Sequence, residues 1–504
     1  MAEEQGGSDR VSLGSIDDLM DGDANPMVHK RVASNISSYA NTTNSVLGAG
    51  VLGLPYAFAK TGWVLGPIIL SLAGIFSIIG LHLLSCVAAK TGFPSTIYSC
   101  CRPAHKFLPM IIDILMACYL FGASCAYLIV IGDMMPEACA QLGGSGILVA
   151  RWLWILLGFA MAAPFSMPHE VDFLKYTSSA CIICIIYVTA VVFVYALPGQ
   201  NPCYKQGLED DGPCVGNEIV QDGINGVEVL KVLSIFVFGF CCQVNVFPII
   251  TEVKQATVGN LDKIFTASIS TAGVLYFIVA VCGFHTYGDS MKSDLLINYP
   301  VVAAVTVARI MISFVVAFTY PLQVNPARRS VMSVLHTLLD KGEEPSTKVI
   351  RLRYFGCSFV FLFLTLLVGL TVSNLGNVLG VIGATGGNII MFIVPGGLYL
   401  HYFPAEEAGA RDVKEPLLAL DTGDETWRER SGLTDASPHR GVRTSLGRAQ
   451  TNPVGLTDGG VELNAALVKD MPVPESTGME RALARLQLTM GLILVPICVT
   501  AIFL

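Results

Sequence analysis

Eleven stretches of this chain are apolar on every side and long enough to cross a bilayer, and no other feature restricts the fold as strongly. About 30 Å of hydrocarbon needs a helix of about 20 residues. The stretches run over residues 38–59, 65–89, 110–133, 150–167, 175–197, 231–250, 262–286, 300–323, 353–373, 376–400 and 484–504. None shows strand-like alternation, and lipid offers no partner for a free backbone N–H or C=O, so each is expected to be a helix. The expected fold class is therefore an all-α integral membrane protein with 11 transmembrane helices, its outer surface partnered by the lipid bilayer. Composition excludes the alternatives: 14% of the 504 residues are charged, against about a quarter in soluble domains. The formal net charge is −8 and the basic residues lie in short connections, so no nucleic-acid footprint exists.

Lys and Arg in the connections orient the spans. Lys30 and Arg31 in the first tail, Lys90, Arg102 and Lys106 after the second span, and Arg328, Arg329, Lys341, Lys348, Arg351 and Arg353 after the eighth share one side if spans alternate. That side is read as the cytoplasm, with the N-terminus inside. The connection 198–230 then lies outside, and it is acidic. Residues 1–32 read as a disordered cytoplasmic tail, 33–404 as the core, 405–483 as a disordered cytoplasmic insert and 484–504 as the last span. Cys203 and Cys214 share the outward loop, where a disulfide is expected, two free thiols being the alternative.

Two spans interrupt their own hydrogen bonding. The first contains Asn44-Ser45-Val46-Leu47-Gly48-Ala49-Gly50-Val51-Leu52-Gly53-Leu54-Pro55, and the sixth contains Phe238-Gly239-Phe240-Cys241-Cys242-Gln243-Val244-Asn245-Val246-Phe247-Pro248. They open two five-span halves, and matched interruptions of this kind point to a binding site between inverted repeats. A half-helix restarting in mid-membrane offers free N–H groups and a positive dipole end to a carboxylate, while the carbonyls of the preceding half suit an ammonium or a bare cation. An amino acid satisfies both. Gly and Pro are also common in ordinary spanning helices, but that explanation fits one break better than a matched pair.

Other polar intramembrane residues are few. Arg309 and His82 are costly unless paired or facing a cavity; Arg309 reads as a structural ion-pair partner rather than a gate, His82 as a neutral, hydrogen-bonded packing residue rather than a proton relay. Asp113 and Asp133 lie near the two ends of the third span and are expected to be solvated. Thr319 and Ser313 carry hydroxyls able to complete an oxygen cage for sodium, though such groups often bond back to their own helix.

Seven stretches resemble the sodium-coupled neutral amino acid transporters of system A and system N type, within the amino acid/auxin permease family: NSVLGAGVLGLPY from Asn44, YLIVIGDMMP from Tyr127, PFSMPHEVDFLKYT from Pro164, FPIITEV from Phe247, GFHTYGD from Gly283, YPLQVNPARR from Tyr320 and GVIGATGGNIIMFIVPGG from Gly380. The resemblance covers about residues 33–404 and 484–504. It implies a LeuT-type 5+5 inverted repeat plus one extra helix, with cation-coupled symport by alternating access. It also implies that Asn44 and Thr319 serve the sodium ion, and that substrate lies against Gly48, Ala49, Gly50, Val51, Leu52 and Gly53 and against Phe240, Cys242, Gln243 and Asn245. Many relatives carry Cys-His in the sixth span where this chain has Cys242-Gln243, so that histidine's role does not transfer.

The resulting expectation is a secondary active transporter, a monomer, moving small neutral L-amino acids such as glutamine with sodium across the plasma membrane or the vacuolar or lysosomal membrane. Proton coupling in a vacuole or lysosome is the alternative on mechanism, and an amino-acid-sensing receptor on the same fold is the alternative on class. No HExxH cluster or nucleophile elbow is present, so no enzyme is expected.

Overall fold

The computed structural model describes residues 33–92, 108–167, 174–200, 225–340, 346–404 and 477–503. Cys203 and Cys214, the first tail and most of the 405–483 insert lie outside the described residues. The chain divides into a unit of residues 1–402 with 472–504 and a unit of 403–471, and of the latter only Phe403 and Pro404 are described.

The described residues are helical apart from connections and one isolated bridge between Ala33 and Val253. In chain order the helices are α1 (Asn35–Val46), α2 (Gly50–Lys90), α3 (Leu108–Gln141), α4 (Arg151–Phe165), α5 (Leu174–Tyr195), α6 (Gly226–Phe240), α7 (Val246–Glu252), α8 (Val258–Tyr287), α9 (Leu295–Asn298), α10 (Ala303–Leu339), α11 (Thr347–Thr371), α12 (Leu375–Ile382), α13 (Val394–Tyr402) and α14 (Gly478–Phe503). Two π-helical segments, Gly383–Gly387 and Ile389–Ile393, join α12 to α13.

Nine helical stretches among the described residues are long and apolar enough to span, against the eleven expected from the sequence. Two local features account for the difference. The rest of the first segment and all of the second run on as α2, which kinks at Gly62, where φ is 74° and ψ −175°; a positive φ favours glycine. The fourth segment is a helix of 15 residues, about 22 Å long.

The most enclosed spans are α3, α6 with α7, α10, and the α12 to α13 stretch, whereas α14 is the most peripheral. Large apolar residues face outward, as on α11, where Phe359 is 67% exposed. A bilayer supplies the missing apolar contacts there. Small residues set the central helix distances. A Cβ on Gly383 would strike the Ser234 carbonyl of α6, so the Gly-rich stretch after α12 lies directly against that backbone. A Cβ on Gly386 would come within 2.7 Å of the Tyr119 Cβ of α3.

Several charged groups inside the bundle are held by specific partners. Asp133, expected to be solvated, instead bonds the Arg151 Nε at 2.8 Å. Arg151 also donates to the carbonyls of Gly369 at 3.1 Å and Val372 at 2.8 Å, closing the last turn of α11. Asp113 is likewise only 4% exposed and faces Ser330 and Ser333 of α10. Both departures share one cause: α3 has 34 residues rather than the 24 read from hydropathy, so neither carboxylate stands at a helix end. Arg309 is structural, as expected. It donates to the carbonyls of Leu296 at 3.0 Å and Tyr299 at 2.9 Å, with Glu137 at 3.8 Å. Beside it, Asp294 caps α9, and burial, with the Asp133 charge behind it, pushes its carboxyl up to about 8.

At the end of α10, Arg353 grips Asp340 with two hydrogen bonds of 2.6 and 2.8 Å, and His336 Nδ1 lies 2.8 Å from the same carboxylate. Arg353 beside it holds the Asp340 carboxyl down at about 2. α14 begins at Gly478 rather than 484 because Thr477 and Glu480 form a reciprocal capping box, with bonds of 3.1 Å each way.

Two outcomes follow for purified protein in detergent. Gly383→Ala should lower stability by about 1–3 kcal/mol or more, while Gly397→Ala, whose added Cβ meets nothing within 4 Å, should melt with the wild type; thermal unfolding checks both. The Asp340 pairing stabilises the fold above the unfolded carboxylate pKa of about 3.9 and is lost as pH falls through the folded value, so Asp340→Asn should flatten the acid limb of the stability curve below about pH 4.

Candidate functional site

The two interruptions are built alike. α1 stops at Val46, and the residue after it, Leu47, leaves the helix at φ −74°, ψ 90°. α6 stops at Phe240, and Cys241 leaves at φ −81°, ψ 89°. The chain then crosses three residues to α2, or a short 3-10 turn at Gln243–Asn245 to α7. Both new helices start without a side-chain cap, whereas α1, α6 and α8 are capped by Ser34, Asn225 and Thr257. An uncapped N-terminus in the interior is a ready anion site. At one end of the pair, the Ala33 N–H donates to the Glu252 carbonyl at 2.9 Å and the Lys254 N–H to the Ala33 carbonyl at 3.2 Å, tying the start of α1 to the end of α7.

The stranded carbonyls receive side chains from neighbouring helices. The Tyr276 hydroxyl of α8 lies 2.6 Å from the Val46 carbonyl and 3.1 Å from the Gly239 carbonyl, bridging the ends of both half-helices. Its ring meets Phe240 edge-on at 5.3 Å. Ser77 of α2 donates to the Phe240 carbonyl at 2.9 Å, and Tyr119 of α3 donates to the Cys241 carbonyl at 3.0 Å. Side-chain donors thus stand in for missing intrahelical ones at these four carbonyls.

A small cavity lies between the two breaks. Ser45, Val46, Gly48, Ala49 and Gly50 line it from the first, and Phe238, Gly239, Cys241, Val244 and Asn245 from the second; Tyr119, Ala123 and Tyr127 of α3 and Gln323 of α10 close it. None of these carries a formal charge. Gln323 donates to the Tyr127 Oη at 3.1 Å, which leaves the phenol's own proton to donate elsewhere, and a Cβ on Gly48 would lie 2.8 Å from that oxygen. Asn245 Nδ2 approaches Ser45 Oγ at 3.5 Å across the cavity wall.

Of the ten residues singled out for substrate, the structure brings Gly48, Ala49, Gly50 and Asn245 to this lining. It leaves out Val51, Leu52, Gly53, Phe240, Cys242 and Gln243. Once α2 resumes, its residues turn away in helical register: Val51 and Leu52 are fully buried, and Gly53 packs on Leu379 and Ile235. Phe240 packs edge-on against Tyr276, and Gln243 donates to Ser77 at 3.2 Å. Tyr119, Ala123, Tyr127 and Gln323 were not among the expected site residues, although Tyr127 and Gln323 lie in the family-like stretches. The first three repeat at i, i+4 and i+8, one stripe of α3, so a small residue between two tyrosines was the available signal.

Asn44 and Thr319 reach the same neighbour, α5. Asn44 Nδ2 donates to Ser178 at 3.3 Å, and Thr319 hydrogen-bonds Cys181 one turn further along while donating to its own Val315 carbonyl at 2.7 Å. The buried Asn44 Oδ1 and Thr43 Oγ1 have no hydrogen-bond partner. Neutral amide and hydroxyl oxygens of this kind fit a small hard cation. His82 is hydrogen-bonded as expected, but to Asp262 and not at the cavity.

Residues 31–420 match the family model described as transmembrane amino acid transporter protein. Vacuolar amino acid transporter 5 of Schizosaccharomyces pombe is 30% identical over 399 residues, covering 77% of this chain and 89% of that protein. Vacuolar amino acid transporter 6 of Saccharomyces cerevisiae is 28% identical over 408 residues, covering 72% and 89%. Sodium-coupled neutral amino acid transporter 7 of Bos taurus is 29% identical over 384 residues, covering 72% and 78%.

Tyr276→Phe keeps the ring and removes the hydroxyl that serves both breaks. It should cost about 1–3 kcal/mol, read as a lower melting temperature in detergent; a melting temperature equal to the wild type would show that the two carbonyls find other donors.

Proposed function

This chain belongs to the transmembrane amino acid transporter family, and from that premise we propose that it is a secondary active transporter carrying small neutral L-amino acids such as glutamine together with sodium. The observation that carries this reading is the convergence of two uncapped half-helix starts and two bridged half-helix ends on one cavity without charged side chains. A zwitterion fits such a site: its carboxylate meets the N–H groups that head α2, and its ammonium meets the unwound carbonyls. With no Asp, Glu, Lys or Arg in the lining, a charged substrate side chain would be left uncompensated, which favours neutral ones. The matched dihedrals of Leu47 and Cys241 support reading the core as a LeuT-type 5+5 inverted repeat with α14 as the extra helix. The basic connections support a cytoplasmic N-terminus.

Sodium in this reading is a co-substrate held between α1 and α10 by Asn44 and Thr319, with the unpartnered Asn44 Oδ1 as one ligand. Because α1 also supplies Ser45, Val46 and the first break, a cation that fixes α1 against α5 and α10 orders the amino acid site as well. Each ligand should then tighten the other by the same factor. Alternating access follows from the two broken helices moving against the helices that hold them.

A second reading, proton coupling in a vacuolar or lysosomal membrane, is favoured by the names of the two yeast relatives. Labelled glutamine uptake into membrane vesicles separates the two. Replacing sodium by choline should abolish uptake, whereas unchanged uptake that follows an imposed pH gradient would overturn the sodium reading. Asn44→Ala should raise the sodium concentration for half-maximal uptake by about tenfold or more, equivalent to about 1.4 kcal/mol.

A further inference from the structure

A second cluster of chemically capable side chains lies apart from the cavity, where α2, α8 and α14 meet. His82 and Cys86 stand one turn apart on one face of α2. Glu480 belongs to the first turn of α14, and Asp262 lies close to the start of α8. His82 Nε2 is 3.7 Å from the Cys86 Sγ and 3.6 Å from the Glu480 Oε1, and ligand atoms of the three residues all lie within 4.8 Å of one another.

We propose that His82, Cys86 and Glu480 form a binding site for one divalent transition-metal ion of the zinc type. The spacing is that of a tetrahedral edge. Metal bonds of about 2.0–2.1 Å to nitrogen, 2.3 Å to sulfur and 2.0–2.2 Å to oxygen place neighbouring ligands about 3.3–3.6 Å apart. The two separations from His82 need to contract by only a few tenths of an ångström, and the third, between Cys86 and Glu480, lies within 4.8 Å and closes as both side chains turn toward the ion. One nitrogen, one sulfur and one oxygen ligand suit a borderline-soft ion, and they leave a fourth position for water.

The supporting contacts match what a metal site needs. His82 Nδ1 lies 3.0 Å from each oxygen of Asp262, so the carboxylate accepts a hydrogen bond from Nδ1–H and turns the Nε2 lone pair toward Cys86 and Glu480. Glu480 is anchored through its other oxygen, which accepts from the Tyr399 hydroxyl at 2.6 Å and the Thr477 N–H at 3.1 Å, leaving Oε1 to face His82. Cys86 is 1% exposed, so its sulfur reaches the ion from the protein side, while His82 and Glu480 are partly open at 28% and 17%. Loading releases the thiol proton to water, and the resulting thiolate and carboxylate balance the ion's two charges. A bound ion would fasten the first turn of α14 to the core. A protonated His82 would instead donate Nε2–H toward Cys86 and Glu480 and bind no ion, an arrangement that the metal titration distinguishes.

The test uses full-length protein in detergent, stripped with a chelator, kept reduced and titrated with cobalt(II). The expected result is one equivalent bound, with a thiolate-to-cobalt charge-transfer band and tetrahedral ligand-field bands that zinc abolishes. Cys86→Ser should remove the charge-transfer band, and Asp262→Asn should weaken cobalt binding by about 10–100-fold. Cys86→Ala repeats the test with a small apolar residue in case serine is not accommodated, and an unchanged helical circular dichroism spectrum shows that each variant is folded. Absence of cobalt binding to the wild type, or a charge-transfer band that survives in both Cys86 variants, would overturn the proposal.

Discussion

Every backbone polar group inside a bilayer must be satisfied by protein, and the rest of this structure depends on how that demand is met where two helices stop short. Val46, Gly239, Phe240 and Cys241 present carbonyls to the interior, and Tyr276, Ser77 and Tyr119 answer them from three directions. Tyr276 matters most because its single hydroxyl serves both breaks. It links the two ends to each other beside the cavity. Without those donors the segments would regain the energy by closing into continuous helices, and the uncapped starts of α2 and α7 would disappear.

The same rule explains the buried cations. Arg309 is buried and Arg151 partly so, and both donate to backbone carbonyls at helix ends or turns: Gly369 and Val372 for Arg151, Leu296 and Tyr299 for Arg309. Carboxylates complete the charge balance, with Asp133 on Arg151 and Glu137 near Arg309. These groups brace the scaffold away from the cavity. The cavity itself is lined by neutral groups, so its electrostatics come from helix ends and amides, which can hold opposite charges at once without a neutralising side chain.

Much of this was readable in the chain. The apolar runs gave the helices, and the matched Gly, Pro and amide clusters around Gly48 to Gly53 and Gly239 to Asn245 marked both breaks. What was not readable was the register within each break. Gly48, Ala49, Gly50 and Asn245 line the cavity, but Gly53 and Phe240, equally prominent in sequence, are spent on packing. A step of one residue turns a side chain by about 100° around the helix and so out of the site, and hydropathy carries no information about that rotation. Asp133 was misplaced for a related reason: hydropathy measured the apolar part of α3, not the length of the helix.

By itself the sequence determined that the chain crosses a membrane many times, which spans are interrupted and which chemistry those interruptions can serve, because length, polarity and helix-breaking residues act locally. The tertiary structure alone decided that Tyr119, Tyr127, Gln323 and Tyr276 belong to the same place as the breaks, and that His82 meets Asp262 and Glu480. Those residues are separated by up to several hundred positions, and no local propensity fixes which face of one packed helix meets which face of another. Close packing does, since glycines such as Gly383 and Gly386 permit only one approach of neighbouring backbones.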